Sequence, residues 1–190
     1  MKRRTFDRIV TAVGFGLSVL LLLAAVLVNW GASFANQSVK DQLSNQNIAF
    51  PVAEALPAET KDQLTKWAGK QVTTGEMARD YSDLYIWEHM KAASVAATGK
   101  PLTYSEVSSL YMAAVRGGDQ AEITKLEDLR QTLFMGNTLR GMLLEAFAFW
   151  QLGQIAGYAA IALLVGGLVM LILSIAGLLH LRRTPEDAMI

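Results

Sequence analysis

The sequence has no cysteine, only two histidines and four prolines. Disulfide bonds, thiolate metal sites and cysteine nucleophiles are therefore excluded. Sites built from several histidines are excluded too, because His180 ends an apolar run and His89 stands alone in the polar middle of the chain. Nucleophile elbows, phosphate-binding glycine loops and dinucleotide fingerprints are also missing. The sequence predicts a protein that is not an enzyme and that needs no metal and no cofactor.

Charge is missing from two long stretches. Residues 9–30 and about 154–181 are apolar and contain no Asp, Glu, Lys or Arg. Since about 20 apolar residues suffice for a helix to cross the hydrocarbon core, each run can span a bilayer. We predict a two-pass membrane protein with five segments: a basic tail 1–8, a transmembrane helix 9–30, an outer domain 31–145, an interfacial segment with a second transmembrane helix 146–181, and a tail 182–190.

The basic residues beside the two runs predict their orientation. Clustered Lys and Arg occur only near the two ends: Lys2, Arg3, Arg4, Arg8, Arg182 and Arg183. By the positive-inside rule, both termini lie in the cytoplasm, the spans cross the plasma membrane, and the central domain faces outward. Between residues 31 and 145, eleven Lys and Arg stand against fourteen Asp and Glu, and no basic patch remains that would bind nucleic acid.

A cleavable signal peptide is the alternative interpretation of the first run. The basic start, the apolar stretch and the small residues Ser33 and Ala35 resemble its three parts, with cleavage after Ala35. The apolar part of a signal peptide has about 7–15 residues, however, and this run has roughly 20. Its length favours an uncleaved membrane anchor.

The outer domain is predicted to be helical throughout. In a capping box, a side-chain oxygen and a carboxylate three residues later serve the first backbone N–H groups of a helix. Three pairs have this spacing: Thr73 with Glu76, Thr103 with Glu106, and Asp119 with Glu122. We expect helices near 58–68, 75–98 and 104–116 and from 120 onward, with one extended piece at 48–51, where the residue before Pro51 disfavours a helix.

Both membrane helices are predicted to continue beyond the bilayer. The chain has no proline between Gln120 and Leu181, and the first span has no breaker before Gly31 and can extend to about Ser44. The predicted fold class is all-α. Two transmembrane helices frame an extracytoplasmic helical bundle and continue outward as stalks.

Small residues recur at helix-packing intervals in the second span: Gly153, Gly157, Ala160, Gly167 and Ser174. Such a stripe lets two helix backbones approach closely. In one interpretation the two spans of one chain pack on each other. In the other, the stripe binds a different membrane protein, or a second copy of this chain, and forms a partner interface. The sequence leaves both open.

One outer stretch contains residues that could carry chemistry. Glu76, Asp80 and Asp83 share one face of the predicted helix 75–98, and His89 follows in the same helix. These side chains could bind a cation or pair with Arg79. The alternative is a solvated acidic face beside core aromatic residues. It is favoured because the Glu-x-x-His pairs of metal-binding helical bundles are missing.

The chain resembles a family of uncharacterised two-pass membrane proteins of actinobacteria in two membrane-proximal stretches, NWGASFAN at 29–36 and TLRGMLLEAFAFW at 138–150. Members of that family are sometimes labelled aromatic ring-opening dioxygenases. This chain does not fit the label, because an iron site of histidines and a carboxylate cannot be assembled from His89 alone. The resemblance implies the two-pass topology and a cell-envelope setting, and it transfers no functional residue.

The spans contain no charged residue at membrane depth, whereas ion pathways and proton relays usually need one. We therefore expect a non-catalytic membrane protein that acts through protein contacts, as an accessory, assembly or stabilising subunit of a cell-envelope complex. Its partners would be the lipid bilayer and another membrane protein or itself. The alternatives are an extracytoplasmic sensor or ligand-binding module and, if the small-residue stripe drives self-association, a small homo-oligomeric channel.

Overall fold

The computed structural model describes residues 2–185 and 188–189. Helices dominate this part of the chain, which contains two isolated β-bridges but no β-strand. The predicted all-α fold class is therefore confirmed. Met1 and Ile190, for which the sequence predicts a cytoplasmic location, lie outside the described residues.

Six α-helices follow one another in the described chain: α1 Arg3–Gln46, α2 Lys61–Leu64, α3 Gly75–Asp80, α4 Trp87–Thr98, α5 Tyr104–Gly117 and α6 Gln120–Arg183. A π-helix, Tyr81–Ile86, joins α3 directly to α4. Two 3-10 turns, Ala53–Ala55 and Thr65–Trp67, flank α2.

Helices α1 and α6 are long and apolar enough to cross a membrane. They contain 44 and 64 residues, and the most apolar 18 residues of each have mean hydropathies of 2.6 and 2.7. Only 17% of each apolar stretch is buried, whereas the core helix of a soluble protein is mostly buried. Both helices continue past their apolar runs as predicted, since α1 ends at Gln46 and α6 begins at Gln120.

The described residues up to 36 and from 152 onward form one compact unit, which we call the helix pair. Its two helices are antiparallel, because residue numbers rise along α1 and fall along α6 in successive contacts: Thr11 with Gly177, Leu22 with Gly167, and Ala32 with Gly157. Buried residues recur every seven positions, at 11, 18, 25 and 32 of α1 and at 153, 160, 167 and 174 of α6. A seven-residue repeat is characteristic of helices that wind around each other in a left-handed supercoil.

Residues 37–151 form the second compact unit, which we call the central unit. Its interior contains two apolar clusters, one formed by Val39, Leu43, Phe50, Leu56, Leu64, Val72, Met77, Ala78 and Leu143, and the other by Met90, Val107, Leu126, Leu129 and Leu133. Ile86 packs against both clusters. The π-helix that contains Ile86 therefore lies where the two clusters meet.

Two of the three predicted helix starts are confirmed. Thr103 and Glu106 form the reciprocal capping box at the start of α5. At the start of α6, the Asp119 carboxylate accepts a hydrogen bond from the backbone N–H of Glu122 at 3.1 Å. In both places the side-chain oxygen satisfies a backbone donor that has no partner within the helix.

The third helix begins at Gly75 as predicted, but its predicted N-cap is wrong by one residue, because Thr74 and not Thr73 is the N-cap of α3. Thr74 Oγ1 accepts a hydrogen bond from the backbone N–H of Met77 at 3.3 Å. The predicted partner Glu76 does not reach back to the N-cap but pairs with Lys66 at 3.2 Å. The attraction of this lysine, ten residues earlier in the sequence, competes with the local capping pattern.

The segment predicted as a helix at 58–68 is helical only in part. It contains the four-residue α2 and the 3-10 turn Thr65–Trp67. Just before α2, the Thr60 hydroxyl donates a hydrogen bond to the carbonyl oxygen of Leu84 at 2.8 Å. This long-range bond holds the chain at a position inside the predicted helix 58–68. The extended piece predicted at 48–51 is confirmed, since the Phe50 N–H donates to the Lys70 carbonyl at 2.9 Å.

Candidate functional site

The Asp80 carboxylate, predicted as part of an acidic site, is the centre of a buried network. Only 5% of Asp80 is exposed. Its oxygens accept hydrogen bonds from the Trp67 indole N–H and the Arg79 guanidinium, each at 2.8 Å, and lie 3.1 Å from Lys66 Nζ. Burial alone would raise the pKa of Asp80, but these donors outweigh it and hold the pKa below its ordinary value. The carboxylate is therefore a fully partnered anion that fastens α3 to the Thr65–Trp67 turn.

Of the other predicted site residues, Glu76 shares Lys66 with Asp80, whereas Asp83 and His89 have partners of their own. Glu76 pairs with Lys66 at 3.2 Å, and Asp83 accepts from Arg140 at 3.1 Å. The His89 ring Nδ1 lies 3.2 Å from the Tyr85 carbonyl oxygen. Among the described residues, no three His, Cys, Asp or Glu side chains come together in a way that could hold a metal ion. Glu76 and Asp80 thus meet at Lys66, Asp83 and His89 do not join them, and the expectation of a solvated acidic face is wrong for buried Asp80.

The π-helix Tyr81–Ile86 interrupts the α-helical hydrogen-bond spacing between α3 and α4. The Ser82 carbonyl accepts the wide-spaced bond from the Trp87 N–H and a second bond from Arg140 Nε at 3.2 Å. The Leu84 carbonyl accepts from the Thr60 hydroxyl. Donors from elsewhere in the fold therefore stabilise this segment, and single π-helical turns are frequent at functional sites. Sequence periodicity contains no signal that predicts it.

A cavity of about 540 Å³, which we call the Trp87 cavity, lies beside this segment. Buried Met90 and Leu133 form its floor, and its walls include the rings of Trp87 and Tyr104. The Arg140 guanidinium lies over the Trp87 ring, 4.6 Å from its centroid. Lys91, Thr103, Ser105 and Asn137 also line the cavity and bring polar groups to its apolar interior. An apolar cavity of this size with a few polar groups has the properties of a small-molecule site.

A second cavity of about 700 Å³ lies between α4 and the segment around Pro57. A row of aromatic rings leads to it from the core: Phe50, Tyr81, Tyr85 and His89 follow one another with centroid distances of 5.0, 4.8 and 4.4 Å. The row ends at His89, which lines this cavity. The rings order this face of the helix, since each packs on the next.

An apolar stripe on α6 is largely exposed in the central unit, although its residue Ala146 packs against the apolar cluster that contains Val39 and Leu43 of α1. It consists of Met135, Leu139, Met142, Ala146 and Phe149, which alternate at spacings of four and three residues, and we call it the α6 seam. Its four large side chains are 50%, 50%, 59% and 43% exposed. Apolar residues at alternating three- and four-residue spacing form the contact seam of a coiled coil. The sequence contains this spacing, but apolar residues also occur on the opposite face of α6, so periodicity alone does not show which face is covered.

The predicted small-residue stripe lies against α1 of the same chain. A Cβ atom added to Gly153 would lie 3.1 Å from Ala35 Cβ, and one added to Gly167 would lie 2.9 Å from Leu22. A Cβ added to Gly157 would lie 4.0 Å from Ala32 Cβ, and Ala160 and Ser174 are buried. Of the two interpretations that the sequence left open, these contacts correspond to packing of the two spans within one chain.

Comparison of the chain with protein-family models, curated proteins and solved structures finds no match. The likeness to the actinobacterial two-pass proteins therefore rests on the two membrane-proximal stretches alone.

Proposed function

We propose that this chain is a two-pass membrane protein whose central unit faces outward and makes protein contacts, as an accessory, assembly or stabilising component of a cell-envelope complex. The observation that carries the proposal is the exposed α6 seam. Contiguous exposed apolar surface is rare on soluble monomeric domains and marks contact sites. Four half-exposed large side chains in one strip are difficult to explain in a domain that acts alone.

Membrane insertion is supported by the surface of the helix pair. Its contacts use small residues at seven-residue intervals, and its large apolar residues point away from the partner helix, as Leu23, Leu27, Ile161 and Ile172 do at 60–69% exposure. In water this surface would be strongly unfavourable, and in hydrocarbon it is satisfied. The clustered Lys and Arg at both ends favour cytoplasmic termini.

The buried polar side chains of the central unit stabilise its fold. The buried Asp80 carboxylate has three donors, and Arg140 is shared between Asp83, the Ser82 carbonyl and the Trp87 ring. Such groups position the helices but do not leave a reactive side chain in a cleft. This supports a role in contact rather than catalysis.

The main test is co-purification from native membranes in a gentle detergent. We expect a polypeptide to accompany the chain and to be lost when Leu139 and Met142 are both replaced by Gln, because the seam then loses its apolar centre. The matched control is the pair Leu110→Gln and Met112→Gln on α5, which removes the same residue types at 44% and 51% exposure. Loss of the partner in both variants, or in neither, would contradict a contact through the seam.

Topology is tested separately by reporter fusions at both termini and at Gly99, which lies in the central unit between α4 and α5. We expect cytoplasmic signals from the termini and an external signal from Gly99. An external terminus, or a mature chain that begins at Asn36, would contradict the proposed arrangement.

A ligand-binding or sensor module is the second candidate, and the Trp87 cavity is the observation that favours it. Its floor residue Met90 is 5% exposed, so its methyl group should report on any compound that enters. The test is methyl NMR of the full-length chain with a water-soluble neutral aromatic compound such as benzamide. A saturable shift at Met90, with no shift at exposed Met112 on α5, would support this candidate, and equal or absent shifts would count against it.

A further inference from the structure

We propose that the cavity of about 700 Å³ between α4 and the segment around Pro57, which we call the Pro57 cavity, binds a small organic cation: an amine with an apolar body and one positive charge. All residues that line it belong to the central unit. The inference goes beyond the proposed role in protein contact and does not depend on it. Its basis is an apolar lining, a net negative charge among the lining side chains, and hydrogen-bond acceptors without partners.

Small side chains on α4 form the apolar part of the Pro57 cavity. Glu88, Ala92 and Ala96 follow one another at four-residue intervals, so they lie on one face of the helix. The two alanines contribute only a methyl group each to the wall, and Leu56, which is 6% exposed, adds apolar surface from the facing segment. The volume lies within the range of about 300–1,000 Å³ that is typical of small-molecule sites. The lining thus accommodates an apolar body of the size of one or two rings.

The side chains that line the Pro57 cavity carry one net negative charge. Glu59 and Glu88 contribute one negative charge each, Lys91 contributes one positive charge, and a neutral His89 contributes none. Lys91 pairs with Glu88 at 2.7 Å, so the uncompensated charge belongs to Glu59. Among the described residues, Glu59 has no ion-pair or hydrogen-bond partner. A ligand with a single positive charge therefore balances the charge of this cavity.

The Glu88 carboxylate is held in the wall of the cavity and not in bulk water. Its side chain is 12% exposed, and the Lys91 ammonium lies 2.7 Å from its Oε1. The other oxygen, Oε2, is accessible and has no hydrogen-bond donor in the part of the chain that the structure describes. A carboxylate that is largely withdrawn from water attracts a nearby cation more strongly than an exposed one does. Glu88 Oε2 is therefore a preformed acceptor for an ammonium group.

His89 contributes a further acceptor. Its Nδ1 lies 3.2 Å from the Tyr85 carbonyl oxygen. Because a carbonyl oxygen only accepts hydrogen bonds, Nδ1 of the neutral ring carries the proton, and Nε2 is left with a free lone pair. An ammonium group has only donors and so complements the acceptors of Glu59, Glu88 and His89. An anionic ligand would meet these acceptors with acceptors of its own, and the charge of Lys91 is already compensated by Glu88.

The small number of histidines makes a direct test possible, since the chain contains only His89 and His180. His89 lines the Pro57 cavity, whereas His180 belongs to the helix pair and serves as an internal control. The full-length protein is labelled with ¹⁵N in its histidines and studied by NMR in a nonionic detergent at pH 8. It is titrated with benzylamine, benzyl alcohol and benzoate, which share one aromatic ring and are positive, neutral and negative.

We expect benzylamine to cause a saturable shift of the His89 ring signals and no shift of His180. Benzyl alcohol should bind at least tenfold more weakly, and benzoate should not bind, because neither supplies the positive charge. Glu59→Gln should weaken benzylamine binding at least threefold, since it removes the uncompensated charge. The matched control is Glu54→Gln, an exposed glutamate of the neighbouring 3-10 turn that does not line the cavity, and it should leave the affinity unchanged.

Equal affinity for the three compounds, or no shift of His89 with any of them, would overturn the inference. Equal effects of Glu59→Gln and Glu54→Gln would overturn it as well, because the charge in the cavity would then not be recognised. A benzylamine shift at the buried Met90 methyl group with none at His89 would place the amine in the Trp87 cavity and would also overturn it. None of these outcomes changes the proposed role of the α6 seam, which co-purification tests separately.

Discussion

Two stretches of α6 repeat with the same period but carry different side chains. From 153 to 174 the buried positions are occupied by Gly153, Ala160, Gly167 and Ser174. From 135 to 149 the seam positions are mostly Met, Leu and Phe, and they are exposed. In both stretches the period indicates a helical partner. The size of the side chains indicates how close that partner comes: small residues bring backbones together, and large ones offer area for association.

The largest expected effect concerns the close approach in the helix pair. Replacement of Gly167 by Leu would drive atoms into Leu22, which lies 2.9 Å from the position of an added Cβ. We expect a loss of about 3 kcal/mol in stability, because a well-packed contact cannot accept the added volume. The neighbouring Gly166→Leu is the control, since nothing lies within 4 Å of its added Cβ. Thermal unfolding in detergent should separate the two variants, and equal stability would show that the helices are not in close contact.

A smaller effect is expected from the buried network of the central unit. Asp80→Ala leaves the Trp67 indole N–H without its acceptor, whereas half-exposed Lys66 and Arg79 can turn to water. We expect a loss of about 2 kcal/mol, the cost of one buried unsatisfied donor and its lost bond. Exposed Asp41→Ala is the control, and denaturant unfolding followed by tryptophan fluorescence is the measurement. A change in Asp41→Ala as large as that in Asp80→Ala would contradict the role of the buried network.

The Asp80 carboxylate also predicts that the free energy of unfolding depends on pH. The pKa of Asp80 is lowered in the folded protein, so the unfolded chain takes up the proton first as the pH falls. The stabilisation is present above the ordinary aspartate pKa of about 3.9 and is lost as the pH drops through the lower pKa of the folded state. Unfolding titrations between pH 7 and 2 should show a steeper loss for the wild type than for Asp80→Asn. Parallel curves for the two proteins would refute the assignment.

Replacement of two glycines in the central part of α6 by alanine should have still smaller effects on stability, and the two effects should differ. Nothing lies within 4 Å of a Cβ added to Gly141, so Gly141→Ala should stabilise the helix by about 0.5–1 kcal/mol. A Cβ added to Gly136 would lie 2.7 Å from Met90 Cγ, so Gly136→Ala should lose this gain unless the flexible methionine moves. Urea unfolding compares the two variants, and a more stable Gly136→Ala would show that α4 and α6 are less closely packed.

The smallest expected change in stability is at the seam. Because Leu139 and Met142 are at least half exposed, replacing both by Gln should change the unfolding free energy of the separated chain by less than about 0.5 kcal/mol. The expected loss is in association. Unfolding measured in excess detergent, where partners dissociate, tests this distinction. A loss of several kcal/mol there would mean that the seam is part of the chain's own core.

Local patterns predicted much of this fold. The proline-free sequence after Gln120 predicted the long α6, and Thr103 with Glu106 predicted the start of α5, because both signals act over a few neighbouring residues. The burial of Asp80 was not predictable in this way. It depends on Trp67, thirteen residues earlier, which a short irregular connection returns to α3. The exposed face of α6 was also undetermined, since that depends on which other helices cover it.

The π-helix between α3 and α4 changes the phase of the helix that contains it. One extra residue in a turn rotates every following side chain by about 100° relative to an uninterrupted α-helix. Ala78 before the segment and Met90 after it are both buried, although they belong to different apolar clusters. The shift lets one continuous helix turn an apolar face to each cluster in succession. Deleting a single residue from Tyr81–Ile86 would restore α-helical spacing and rotate Met90 and Ser94 away from their sites, so the length of this segment matters more than the identity of any one residue in it.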